Sequence, residues 1–181
     1  SSVNKDTKAL AEKMKIETNA VIVNQCDGYG YREWHTKSCR IQSFDMAERG
    51  VGLSRNTALL HAGADICLFS DEDIVLEKGY RDIVREAFLQ KPDADIILFN
   101  VRVAPERRTY WNEQVKQVHW YNYGRYPAYS ISGRLEAFRR ANVHFSLLFG
   151  GGAKYSNGED SLFLKDCLHA GMKIYAVPAC I

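Results

Sequence analysis

The 181-residue sequence has no apolar run approaching the roughly 20 residues of a membrane-spanning helix. Its longest apolar stretches are short, as in Ile96 to Phe99. The opening SSVNKDTKAL has no apolar centre and does not read as a secretory signal. There are five cysteines, an odd number, scattered at Cys26, Cys39, Cys67, Cys167 and Cys180 with no CxxC pair. Neither a disulfide framework nor a zinc site is expected from that spacing. Buried or idle thiols in a reducing compartment fit it. The five histidines show no HxxxH or HExxH spacing and read as surface or packing residues. No GxSxG elbow supports serine-hydrolase chemistry. The run Gly150-Gly151-Gly152 lacks the spacing and the lysine of a phosphate-binding P-loop. Internal repeats, low-complexity tracts and proline-rich linkers are absent. A net charge of +2 gives no reason to expect nucleic acid as a partner.

What is there alternates. Four continuous apolar runs, Ala20 to Val23, Asp65 to Phe69, Asp95 to Val101 and Lys173 to Val177, suit strands buried on both faces. Pro178 is expected to stop the last of them. Helical spacing of apolar residues marks Asp6 to Met14, Ser54 to Ala62, Tyr80 to Leu89 and Glu159 to Ala170, with Gly171 as a natural end. Helices alternating with buried strands predict an α/β layered protein with a mainly parallel sheet.

The stretch from Arg102 to Arg140 differs. It holds eight Lys/Arg against three acids, a local balance of +5 that leaves −3 for the rest of the chain. Tyr110, Trp111, Trp120, Tyr121, Tyr123, Tyr126 and Tyr129 interleave with those charges. A segment of this length suggests a binding role, or a packed flap that covers the sheet.

Ligands of open α/β sheets lie beyond the carboxyl ends of the strands, and three polar clusters fall there. The first is Asn24-Gln25-Cys26-Asp27-Gly28. The second is Ser70-Asp71-Glu72-Asp73, whose carboxylates could share a hard divalent cation or simply cap a helix. The third is Gly158-Glu159-Asp160, an acidic first helical turn or a source of a general base. Arg55-Asn56 opens a helix, where an arginine makes an anion site or a solvated surface residue.

The order of these motifs resembles the family 2 glycosyltransferases of GT-A fold. The stretch ERGVGLSRNTALLHAGADICLFSDED, Glu48 to Asp73, carries most of the likeness: a Gly-rich turn, an Arg-Asn pair opening a helix, a small-residue helix end, an apolar strand and a DxD motif. Phe149 to Pro178, with GED, a helix and AGMKIYAVP, is the second match, and VIVNQCDG the third. The resemblance implies a three-layer α/β/α sandwich with a mainly parallel central sheet. It implies one glycosyltransferase-like domain over residues 1–181, with 1–101 as the nucleotide-sugar half and 102–181 as the acceptor half. The family's first strand is not found, so a fragment of a longer chain is expected.

Site residues follow by position. Asp71 and Asp73 match the ends of the DxD motif, which binds Mn²⁺ or Mg²⁺ and the donor diphosphate. Asp160 matches the catalytic base, with Glu159 its neighbour. Ser2, Asn4, Asp27, Arg55, Asn56 and Asp71 match nucleotide-sugar contacts, although Cys26 stands where the family often has an acid. Trp111, Trp120, Tyr121 and Arg134 are the expected acceptor contacts. The implied reaction moves a sugar, with inversion, from a nucleotide-diphospho-sugar, a UDP-sugar being expected, to a hydroxyl of a glycan or lipid-linked acceptor. The implied location is the cytoplasm, including the inner face of the membrane as a peripheral contact. A non-catalytic glycan-binding or scaffold module of the same fold is the competing class. A nucleotidyltransferase lacks its basic Gly-rich loop here, and a glycosidase would leave the DxD idle.

Overall fold

The computed structural model describes residues 6–103 and 108–181. All four expected strands and all four expected helices form. Helix α1 (Thr7–Lys13) is capped by Asp6, whose carboxylate accepts from the amides of Lys8 and Ala9. Strands β1 (Ala20–Gln25), β2 (Gly30–His35) and β3 (Arg40–Met46) follow, then α2 (Val51–His61), β4 (Ile66–Leu68), α3 (Tyr80–Gln90) and β5 (Ile96–Asn100). After β6 (Lys116–Val118), a 3-10 turn at Ala128–Ser130 leads into β7 (Ile131–Arg134). Helix α4 (Leu135–Ala141), helix α5 (Glu159–His169) and β8 (Ile174–Cys180) complete the order.

The strands form two mixed sheets rather than one mainly parallel sheet. One has the order β1-β3-β2 and the other β4-β7-β5-β8-β6. Only β1 with β3 and β5 with β8 pair in parallel; β2/β3, β4/β7, β5/β7 and β6/β8 are antiparallel. The sequence hid β7 because Ile-Ser-Gly-Arg is too short and too polar to read as a buried run. It nonetheless sits centrally, between β4 and β5. Ser132 donates to the carbonyl of Cys67 at 2.9 Å, and the Phe138 ring lies where a Cβ on Gly133 would be, 2.4 Å away. Residues of the 102–181 half therefore lie inside the sheet of the 1–101 half. Pro178 does not stop β8, which runs on to Cys180 through a register shift opposite Leu98 and Asn100. A proline is tolerated where the ladder is already irregular.

Strand β5 is buried along its whole length, as a continuous apolar run requires. Its side chains alternate between two cores. Ile96 and Leu98 join Phe138, Phe145, Phe163 and Leu164 from the α4/α5 side. Ile97 and Phe99 join Tyr80, Val84 and Phe88 of α3. The smaller sheet packs α1 over Cys39 and Ile41. Among the described residues no helix is long and apolar enough to cross a membrane.

The basic aromatic segment is partly core. Asn100 donates to the carbonyls of Asn112 and Pro178 and accepts from the Asn112 amide. Tyr126 donates to Asn112 Oδ1 at 3.0 Å, and Tyr110 donates to the Phe99 carbonyl at 2.7 Å. Buried polar groups demand such partners, so this network fixes the segment's path over β5.

Candidate active site

The site begins with a close approach of backbone to backbone at the start of α2. Gly52 has no side chain, and a Cβ there would stand 2.3 Å from the carbonyl oxygen of Ser146. The Val51 amide donates to the Gly151 carbonyl at 2.9 Å, docking the loop before α5 against the helix. Asn56 completes the attachment: its Nδ2 donates to the Phe145 carbonyl and its Oδ1 accepts from the Phe145 amide. The Phe145 ring then stacks on Phe163 of α5, centroids 3.9 Å apart.

Arg55, one residue earlier on α2, projects over the Phe145 ring, 5.2 Å from its centroid. Its side chain is 11% exposed. Nη2 donates to Asp71 Oδ1 at 2.9 Å, just beyond β4. Nη1 donates to Asp160 Oδ1 at 2.7 Å and lies 3.4 Å from Glu159 Oε1, both in the first turn of α5. One guanidinium thus gathers carboxylates more than 85 positions apart in the chain. Fork geometry makes arginine suited to this, and the low exposure makes the bonds matter.

Asp160 is held from a second side. Its Oδ2 accepts from the Ala128 amide at 2.9 Å, at the 3-10 turn before β7. Burial pushes the Asp160 carboxyl above its ordinary range; Arg55 and the Ala128 amide pull it back in part, and the charges of Glu159 and Asp71 push it up again. Each Asp160 oxygen keeps a lone pair beyond its one partner. Tyr129 stands beside this centre. Burial raises its phenol pKa, and the negative charges of Asp71, Asp73 and Asp160 add to the rise. Gly150, at φ +100°, lets the loop pass so closely that a Cβ would meet Glu159 Cδ at 2.8 Å.

The structure brings Arg55, Asp71, Glu159 and Asp160 together and leaves Asp73 exposed, with its charge acting on the same Tyr129 phenol as those of Asp71 and Asp160. It uses both ends of the Asn56 amide on the Phe145 backbone, so Asn56 braces the loop. Asp27 is almost fully exposed and pairs with Arg49 at 2.6 Å, while Arg49 also donates to the Cys26 carbonyl. Gln25, next to it, donates to the Gly50 carbonyl at 2.7 Å and so ties the end of β1 to α2. Arg134 is elsewhere: it pairs with Ile66 at the start of β4, and its guanidinium donates to the carbonyls of Ala94 and Pro92. Ser2 and Asn4 lie outside the described residues. Trp111, Trp120 and Tyr121 are exposed.

Sequence reasoning missed Tyr129 and the Ala128 amide. A backbone donor carries no residue-type signal, and Tyr129 was one aromatic among seven. Among the described residues no group of three or more His, Cys, Asp or Glu converges as a preformed metal cage. Asp71 keeps one oxygen clear of Arg55, and Asp73 is exposed. That donor set fits a hard cation that brings most of its ligands, phosphate oxygens and water, with it.

No protein-family model and no curated protein matches the chain. Solved structures do. The crystal structure of S. aureus TarS 1-349, a glycosyltransferase, superposes over 93% of this chain and 54% of its own length, with TM-score 0.60 and 18% identity. A second S. aureus TarS structure superposes over 76% of this chain and 26% of its own, with TM-score 0.52 and 20% identity. The chain spans about half of the first and a quarter of the second. At such identities the likeness speaks to architecture alone: the chain has a glycosyltransferase-like α/β fold.

Proposed function

We propose that the protein is a glycosyltransferase that moves a sugar from a nucleotide-diphospho-sugar to an acceptor hydroxyl. The observation that carries this reading is the convergence of Asp71, Glu159 and Asp160 on the part-buried Arg55. The acid after a strand and the acid opening a distant helix face one centre, as donor and acceptor chemistry on adjacent atoms requires.

Asp160 is the general base. It takes the proton of the acceptor hydroxyl as that oxygen bonds to the anomeric carbon. The bond from that carbon to the phosphate oxygen breaks, and its electron pair leaves with the diphosphate. Burial favours this role, because a carboxylate raised towards the working pH accepts a proton more readily. The Ala128 amide fixes the carboxylate's orientation. Arg55 stands within reach of both the base and the leaving group's side, and fixed positive charge there stabilises developing negative charge. Asp71 and Asp73 would hold Mn²⁺ or Mg²⁺, which supplies Lewis-acid stabilisation of the departing diphosphate. A UDP-sugar is the first donor to test.

The test is thermal denaturation with UDP and Mn²⁺. A ligand at about 100 times its Kd adds about 2.7 kcal/mol, a rise of several degrees. Asp73→Ala should abolish that rise. Asp160→Asn should keep it and lose sugar transfer. Equal nucleotide affinity with and without metal would remove the cation from this reading. Normal transfer by Asp160→Asn would remove Asp160 as the base.

A further inference from the structure

One hydrogen bond from the first turn of α5 lies a turn whose exposed rings are given no role in the steps above. Trp120 and Tyr121 are 77% and 67% exposed, and Trp111 is 39% exposed. These rings are held rather than loose. The turn that carries two of them is closed by the His119 amide donating to Asn122 Oδ1 at 2.8 Å and the Asn122 amide donating to the His119 carbonyl at 3.1 Å. Tyr121 stacks on His119, and Trp120 meets Tyr121 edge-on at 5.6 Å. Two residues further on, the Gly124 carbonyl accepts from the Ser161 hydroxyl, next in sequence to Asp160. The platform is therefore tied to the base.

The stretch of chain that carries these rings is also cationic. Arg108 lies 4.4 Å over the Trp111 ring, and Arg125 lies 5.5 Å over Tyr126. Among the described residues Arg108, Lys116 and Arg125 form no ion pair, whereas most other arginines of the protein do. Burial lowers the Lys116 ammonium pKa; the nearby Arg125 charge adds to the fall and the Glu113 carboxylate opposes it. Neighbouring cations that form no ion pair gain from an anion set between them. The residues of the turn itself are aromatic and polar, His119 to Gly124, with no aliphatic side chain to enter a lipid bilayer.

We propose that this face is an acceptor subsite for an anionic polysaccharide, whose sugar rings stack on Trp120 and Tyr121 and whose carboxylate or phosphate groups meet Arg125, Lys116 and Arg108. Rings with an apolar face and a polar edge suit sugars, and guanidinium suits carboxylate and phosphate alike. The word acceptor rests on the transferase reading; the binding does not, and it is measured without donor.

Binding is followed by tryptophan fluorescence and calorimetry on the whole chain with five probes: a hyaluronan hexasaccharide, a sugar-phosphate oligomer of similar length, neutral maltohexaose, anionic phosphatidylglycerol vesicles and oligo-dT. One or both anionic saccharides should bind at least about tenfold more tightly than maltohexaose, and which of the two binds identifies the acid. That affinity should fall with added salt, as exposed charge pairs are screened. Trp120→Ala and Tyr121→Ala, at exposed positions, should each weaken binding roughly five- to tenfold with unchanged melting temperature. Arg125→Gln should weaken binding and flatten its salt dependence. The proposal is overturned if maltohexaose binds equally, if no saccharide binds, if the substitutions change nothing, or if vesicles or oligo-dT bind more tightly. Saccharide binding without any UDP–Mn²⁺ stabilisation would leave this subsite standing and remove the transferase reading.

Discussion

Replacing Arg55 with leucine tests the centre of this structure most directly. The substitution keeps an apolar stem against Phe145 but removes the one cation that Asp71, Glu159 and Asp160 share. Removing one partner of a fully buried ion pair costs about 3–5 kcal/mol, because the charges left behind are uncompensated. The Asp71, Glu159 and Asp160 side chains are 36%, 14% and 23% exposed, so solvent screens part of this and about 2–4 kcal/mol is expected. For a protein of this size each kcal/mol lowers Tm by about 2–4 °C, so a fall of roughly 4–16 °C is expected at pH 7.5. The pH dependence gives the sharper reading. Asp160 already titrates above its ordinary range because it is buried. A carboxyl with a raised folded pKa binds more protons folded than unfolded between the two values. Stability therefore declines as pH rises through that window and stays lower above it. Loss of Arg55 raises the folded value further and widens the window. The Tm deficit of Arg55→Leu should thus shrink as pH is lowered towards the ordinary carboxylate range, and Asp160→Asn in the Arg55→Leu background should restore part of the loss. Circular dichroism melts of the wild type, Arg55→Leu, Asp160→Asn and the double variant at pH 4, 5, 6 and 7.5 measure both effects. A deficit under about 1 kcal/mol that does not vary with pH, with no recovery in the double variant, would refute the claim that Arg55 neutralises a buried acidic centre.

Asn56→Ala removes both bonds to the Phe145 backbone; with a buried amide left unsatisfied, a loss of about 2–3 kcal/mol is expected in urea titration, and proteolysis should cut first within the 145–158 loop. Gly52→Ala forces a methyl to 2.3 Å from the Ser146 carbonyl, so the loop must shift and UDP–Mn²⁺ stabilisation should fall with it, whereas alanine at the open Gly63 should leave both unchanged. Tyr126→Phe deletes the hydroxyl bonded to Asn112 Oδ1 in the core; about 1–2 kcal/mol should be lost on chemical denaturation, with saccharide binding at Trp120 retained if the platform stays in place.

The sequence by itself determined the elements whose physics is local. Runs such as Ile96 to Phe99 suit buried strands at this length, and the stripes of α3 and α5 suit helices with one covered face. The family resemblance in motif order also pointed to Arg55, Asp71, Glu159 and Asp160, which the fold brings together. Tertiary structure decided the rest, because the rest depends on partners far away in the chain. Strand direction was one such matter: β7 is Ile-Ser-Gly-Arg, and only the fit of Gly133 under Phe138 makes it a central antiparallel strand. Aromatic identity was another. Tyr110 and Tyr126 are core while Trp120 and Tyr121 are surface, and nothing in their one-letter pattern separates them; the hydrogen bonds to Phe99 and Asn112 do. Arg134 and Arg55 read alike as basic residues near a site. Packing turned Arg134 onto the carbonyls of Pro92 and Ala94 and set Arg55 between the acids. A charge declares its sign in sequence, but its role is fixed by which groups the fold leaves within 3 Å of it.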